Sequence, residues 1–385
     1  MFFSKLVIKD KEPCPCGSDK KYKDCCKGKS PKIEIKSKKP PDVQVMEKMR
    51  LAMKKYCLHP DKDKCKGKIK AAHALQNNKI ISLLAGNKRH VYMLDTKKKP
   101  LLISMPDGEV ISIVEMSKTS ANDATTETCF CDYHDNVVFA VIEKGAPDFD
   151  ESSNKMKFIY AYKAFVFEYY KQRIGIDIFR ESFKHNTSAF ISKDMIGMYR
   201  MLQLKMKEFE PIKLHFDQQI MAETYDGVIT CAIKIPEQIK FANYAYIAPD
   251  YDMDGRKIKQ TVKGFMHRIA ITIFPELNQS WLLVSCLENE KYIYERLFKQ
   301  LKTATLLKLK YYINLILPLY SENMVLSMDI WDNWSAETQM AYTYYANLTG
   351  KDAYVMGKGI GFGLKNAAND KTGKAYSTTP KISIL

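Results

Sequence analysis

Four cysteines, Cys14, Cys16, Cys25 and Cys26, fall within one short Lys-rich stretch that carries almost no apolar side chains. Hydrophobic burial cannot hold such a segment, because ordering it costs roughly 1–2 kcal/mol per residue in chain entropy. Thiolates around a tetrahedral Zn²⁺ can hold it, since a small site of this kind supplies about 10–16 kcal/mol at neutral pH. Disulfides are the other use of four thiols, and the adjacency of Cys25 and Cys26 makes two unstrained bridges awkward.

A second set of ligand types follows. Cys57 and Cys65 are separated by seven residues, C-x7-C, and Cys131 and His134 appear much later at C-x2-H spacing. A pair on an N-terminal loop and a pair entering a helix or turn can close a tetrahedron around a second Zn²⁺, in the layout of a treble clef. Cys129 competes with Cys131 for the third place, and the two-residue gap to His134 favours Cys131. Between the pairs the pattern predicts an amphipathic helix over 73–84. Strands are predicted over 91–94, 101–105 and 110–114, with a turn at Pro106-Asp107-Gly108.

The first cluster resembles the SEC-C zinc motif. Pro13, Cys14, Pro15, Cys16, Gly17, Ser18, Lys20, Lys21, Tyr22, Lys23, Cys25 and Cys26 stand where that motif has them, and Asp19 replaces a usual Gly. The resemblance implies a metal-held knuckle that recruits a protein partner or nucleic acid and does no chemistry itself. The second segment is similar to HNH (His-Me finger) nucleases. By that likeness His73 would be a general base, with Asn77, Asn78 or Asp135 as neighbours and Mg²⁺ or Mn²⁺ on the scissile phosphate. Ala72 occupies the place where those enzymes commonly put a metal-binding Asp or His, and His73 reads as the start of a helix. The combined pattern also resembles a set of bacterial proteins encoded beside mobile-element or phage-defence genes.

Charge points the same way. Lys and Arg number 60 against 44 Asp and Glu, a net charge of +16, and the first seventy residues hold 21 bases against 9 acids. Such a front end attracts polyanions, nucleic acid or ribosome, with affinity that depends steeply on salt. Lys20, Lys21, Lys23, Lys27 and Lys29 are the candidate phosphate contacts. No apolar run is long enough to span a membrane, and ten cysteines beside metal-ligand spacing point to a reducing, cytoplasmic setting.

The elements that must position these groups are read as an α+β chain. The expected order is a SEC-C knuckle over 1–30, a basic Pro-containing linker over 31–44, and a treble-clef or HNH-like unit over 45–150. A helical segment over 151–225, an α+β domain with an antiparallel sheet over 226–350, and a flexible tail over 351–385 follow. Helical spacing of Met156, Phe158, Ile159, Tyr162, Phe165, Val166, Tyr169 and Tyr170 predicts a core-facing helix. A second helix over 194–209 is expected to stop at Pro211. Cys231 and Cys286 read as core thiols. Asp250-Tyr251-Asp252-Met253-Asp254-Gly255 matches the first half of an EF-hand, but Thr261 stands where the bidentate Glu belongs, so it reads as a turn. No phosphate loop, dinucleotide fingerprint or Gly-x-Ser-x-Gly elbow is present. Three functions follow as expectations: a zinc-stabilised nucleic-acid or polyanion binder, an HNH-like nuclease using His73, and an adaptor that recruits protein through the SEC-C motif.

Overall fold

The computed structural model describes residues 7–28, 53–96, 98, 101–104, 110–143, 145–146, 148–184, 193–262, 264–348 and 350–377. Lys29, the expected linker over 31–44 and the residues after 377 lie outside these. The chain forms two compact units, Met1–Leu58 with Val166–Asp217, and His59–Phe165 with Gln218–Leu385. Among the described residues the strands are β1 (Ile69–His73), β2 (His90–Leu94), β3 (Leu101–Ser104), β4 (Val110–Ile113), β5 (Met116–Ser120), β6 (Thr126–Cys131), β7 (Val228–Ile235), β8 (Phe241–Ile247), β9 (Thr261–Val262), β10 (Phe265–Met266), β11 (Ile269–Pro275), β12 (Ser280–Leu287) and β13 (Met324–Ser327).

Two long helices, Asn154–Lys184 and Lys193–Met221, are shared between the units, and in the first unit the cysteine-bearing loop meets the parts of them that run from Val166 and up to Asp217. Ser153 caps the first of these by accepting from the Met156 N–H. Contacts between the helices run in opposite senses along the chain: Lys205 pairs with Glu168, the Tyr169 hydroxyl donates to Glu210, and Phe179 and Phe183 meet Tyr199. The second helix continues through Pro211, contrary to the stop expected there. Proline leaves the Lys207 carbonyl without its i+4 donor, but both residues lie on the exposed side, where water can take the bond. Buried Phe209, Ile212 and Phe216 hold the helix on either side of the break.

The second unit is built on a seven-stranded antiparallel sheet in the order β5-β2-β13-β8-β11-β12-β7. Every residue of β8, β11 and β12 is buried, so these strands are covered on both faces. One face packs on helices Lys291–Thr303 and Leu306–Tyr320 through Tyr294, Leu297, Tyr312 and Ile316. Phe165 meets Tyr246 and Tyr160 stacks on Phe274, which places the start of helix Asn154–Lys184 against the sheet as well. The α+β class and the antiparallel sheet agree with the sequence pattern.

Three local expectations differ from the structure. The strand expected over 91–94 is β2 of the large sheet, β3 and β4 pair with each other, and the two-stranded ladder that carries Cys131 is β1 with β6. The helix expected over 73–84 is a wide turn at Asn77–Ile81 followed by Ser82–Ala85, because Gln76 caps it by accepting from the Lys79 N–H. The expected flexible tail contains a helix, Gly350–Asn369. One of its glycines gives close packing: a Cβ on Gly361 would stand 2.6 Å from the Tyr251 ring.

Candidate metal centres and the His73 site

Short backbone bonds shape the N-terminal loop. The Cys14 N–H donates to the Lys20 carbonyl at 2.7 Å, Tyr22 to Glu12 at 2.8 Å and Gly17 to Cys14 at 3.0 Å, and the turn Tyr22–Asp24 leads into Cys25. Gly17 and Asp19 both adopt left-handed φ, +74° and +58°. That explains why glycine suits position 19, and why Asp, which tolerates this region better than most residues, can replace it. The four sulfurs converge: Cys14 to Cys16 is 3.4 Å, Cys16 to Cys25 is 3.5 Å and Cys25 to Cys26 is 3.9 Å. These separations are far too long for disulfides. They match the edge of a tetrahedron of thiolates around Zn²⁺, roughly 3.8 Å for Zn–S bonds of about 2.3 Å.

Without a cation the four sulfurs cannot all ionise. Burial drives the Cys14 thiol up, and burial together with neighbouring sulfurs drives Cys26 up strongly. At Cys16 burial pushes the same way, but hydrogen bonds from Ser18 and the adjoining thiols outweigh it and bring the group down to about 7. A divalent ion supplies the missing positive charge, so these residues fit a structural metal that cross-links the loop. The apolar wall of the site comes from far along the chain. Ile8, Cys14 and Cys16 are buried with Phe179, Phe183 and Tyr199, while Arg200 reaches the Val7 carbonyl at 3.1 Å and pairs with Glu12.

Cys57, Cys65, Cys131 and His134 form the second group, with ligand atoms all within 4.8 Å of one another. Nδ1 of His134 lies 3.2 Å from the Cys131 sulfur and 3.6 Å from that of Cys65, which makes Nδ1 its ligating atom. The loop is tied to the helix Asp132–Val138 by the Asp132 N–H to the Lys68 carbonyl and the Tyr133 N–H to Lys66. Gly67, at φ +77°, lets the chain pass where a Cβ would stand 2.9 Å from that of Asp132. The His59 ring stacks on His134 at 3.9 Å and fixes its plane. Cys129, buried in β6, is not one of the four. Three thiols and an imidazole are a donor set that suits Zn²⁺.

His73 ends β1 instead of opening a helix. It pairs across to Thr126, with a bulge between Lys70 and Ala72 that re-aims the strand beside it. Its Nδ1–H donates to the Ala124 carbonyl at 2.9 Å, which leaves the Nε2 lone pair as the basic position. Burial lowers its pKa, helped by Lys163, while Ala124, Glu143 and Asp135 act in the opposite direction. Asp135, on the helix Asp132–Val138, is raised by burial against the pull of Lys163 and Lys70. Ala72 is buried and offers no ligand. Asn77 donates to Asn122, and Asn78 is exposed.

Lys20, Lys21, Lys23 and Lys27 are exposed, and Lys27 is paired with Asp10 at 2.6 Å. The EF-hand-like carboxylates are met by protein cations and backbone: Arg296 and Lys308 hold Asp254, and Arg296 holds Asp252 with the N–H groups of Asp254 and Arg256. This is the turn expected from the sequence. Cys231 and Cys286 are buried core thiols, as expected.

The chain is therefore one with two clustered donor sets able to hold metal ions. A family model described as SEC-C motif matches residues 11–27, so the first set is the cysteine cluster of a SEC-C motif. No curated protein and no solved structure matches the chain. No helix among the described residues is long and apolar enough to cross a membrane.

Proposed function

We propose that the protein binds nucleic acid through the basic face of its SEC-C knuckle, with zinc in both donor sets acting as structural cross-links. The observation that carries this is the exposure of Lys20, Lys21 and Lys23 on a loop whose shape depends on the four sulfurs, in a chain of net charge +16. Ammonium groups on a rigid loop neutralise phosphates without ordering a flexible arm. Binding of a duplex or single strand should weaken steeply between low and physiological salt. The triple variant Lys20→Glu, Lys21→Glu, Lys23→Glu should reduce both the affinity and the salt slope while keeping its metal. An affinity unchanged by the triple variant overturns the reading. A partner complex that survives nuclease treatment would favour recruitment of a protein instead.

The His73 geometry favours a second reading, a phosphodiester hydrolase in the β1, β6 and Asp132–Val138 unit. An imidazole anchored at Nδ1 and kept neutral by burial is poised to take a proton from water at Nε2. Mg²⁺ or Mn²⁺ held by Asp135, a carboxylate whose charge acts on His73, would supply charge stabilisation at the phosphate. Divalent-dependent cutting that disappears in His73→Ala, with zinc content unchanged, supports it. Equal cutting by that variant rules it out.

A further inference from the structure

Within the second unit, a partly open cavity of about 220 Å³ lies between the Gln76 turn and the end of β11 with the turn that follows it. Its walls are largely apolar. Phe149 meets Tyr160 at 5.9 Å and Phe274 at 6.3 Å, Tyr160 and Phe274 stack 13° from parallel, and Leu83 closes one side. Cavities of about 150 Å³ take benzene, and drug-sized ligands need about 300 Å³ or more, so this volume suits a one- or two-ring planar molecule.

One polar group in the wall has no protein partner. Gln76 is 3% exposed, and its Oε1 accepts from the Lys79 N–H at 2.6 Å, which fixes the orientation of the amide. Its Nε2 is buried with no hydrogen-bond acceptor. Leaving such a donor unmet is unfavourable, and an acceptor on a bound molecule would remove the penalty. Glu276 is not available for the task. Its Oε1 accepts from the Phe149 N–H at 2.7 Å, and its Oε2 accepts from Gln279 at 2.7 Å and from Trp281 Nε1 at 3.0 Å. It braces the aromatic wall. At the rim, the Lys79 ammonium is held by the Ala146 carbonyl and Asp148.

We infer that this cavity binds a nucleobase-sized planar heterocycle, stacked or edge-packed on Phe149, Tyr160 and Phe274, with a ring nitrogen or carbonyl accepting from Gln76 Nε2. Aromatic walls recognise the π-face of any base, and the single fixed donor selects those with an acceptor at the matching edge. A free nucleoside and an unstacked base of a strand share this chemistry. The first source is independent of the nucleic-acid reading above, and the second rests on it.

The test is calorimetric titration of the full-length, metal-loaded protein with adenosine, guanosine, cytidine and uridine, and separately with single-stranded homopolymers of the same bases. Indole, planar but lacking a ring acceptor, is the control. At least one nucleoside or homopolymer should bind saturably, and indole at least about tenfold more weakly than the preferred nucleoside. Gln76→Met should weaken binding by about tenfold, and Leu83→Trp, which fills the space without touching the cap, should abolish it. Thermal melts and metal content establish that both variants are folded. Binding of nucleosides assigns a free ligand, and binding of a homopolymer alone assigns a strand. Loss of homopolymer binding in the triple lysine variant with nucleoside binding intact separates this site from the knuckle. Failure of every nucleoside and homopolymer to bind overturns the inference, as does an affinity unchanged by Leu83→Trp.

Discussion

Cys14, Cys16, Cys25 and Cys26 were legible as one site because their neighbours in the sequence leave nothing else to hold the loop, and the structure brings their sulfurs together. The second set was legible from spacing, with Cys131 favoured over Cys129 by its distance from His134. Replacing Cys14 with Ser should remove one bound metal equivalent of two, and Cys131→Ser the other, as measured by elemental analysis of each purified variant. Asp19 illustrates a finer signal: a left-handed φ of +58° explains the glycine preference at that position. Asp19→Gly should relieve up to about 1 kcal/mol of backbone strain and tighten metal retention against a competing chelator. Gln76 and Gly67 were not visible, since a lone amide and a lone glycine carry no pattern until the chain around them is placed.

His73 yields a prediction with a definite sign. Its folded pKa lies below the ordinary value of 6.5 because the ring is buried. The unfolded chain therefore takes up the proton more readily, so this residue's contribution to stability is intact above about pH 6.5 and is lost as pH falls through that value toward the folded pKa. His73→Gln should flatten that part of the stability profile relative to the parent protein. Urea midpoints at about pH 5.5 and pH 7 would measure the difference.

At the scale of elements, the helices and strands that bury a regular face were readable, and their partners were not. Helix Asn154–Lys184 follows from its aromatic spacing, whereas the placement of β2 and β5 in the large sheet depends on pairing with β13, more than two hundred residues later. Sequence periodicity sets which side of a strand is buried and says nothing about its neighbour. Local rules misled in two places, at Pro211 and in the glycine-rich run after Gly357. The first was overridden by burial on both sides of the proline. In the second, glycine serves approach: at Gly255, φ is +70° and an added Cβ would lie 2.3 Å from the Gly361 carbonyl oxygen and 2.5 Å from the Lys365 nitrogen. Gly255→Ala should destabilise the second unit by about 2 kcal/mol or more, seen as a lower urea midpoint, because backbone atoms on both sides must shift.

Across the whole molecule, a positive front end and two donor sets connect composition to stability. Chelation at neutral pH should lower the melting temperature, and zinc should restore it, because metal binding free energy in such small sites is folding free energy. Acid should release the metal as well, since protons compete for thiolates.

The aromatic wall behind the knuckle has a further consequence. Phe179, Phe183 and Tyr199 are covered by the loop that carries the four cysteines, which a coordinated ion would cross-link. When the ion leaves, three large rings lose their lid and become a sticky patch of the kind that chaperones and proteases survey. Loss of such an ion would then be felt first as a shortened lifetime of the polypeptide.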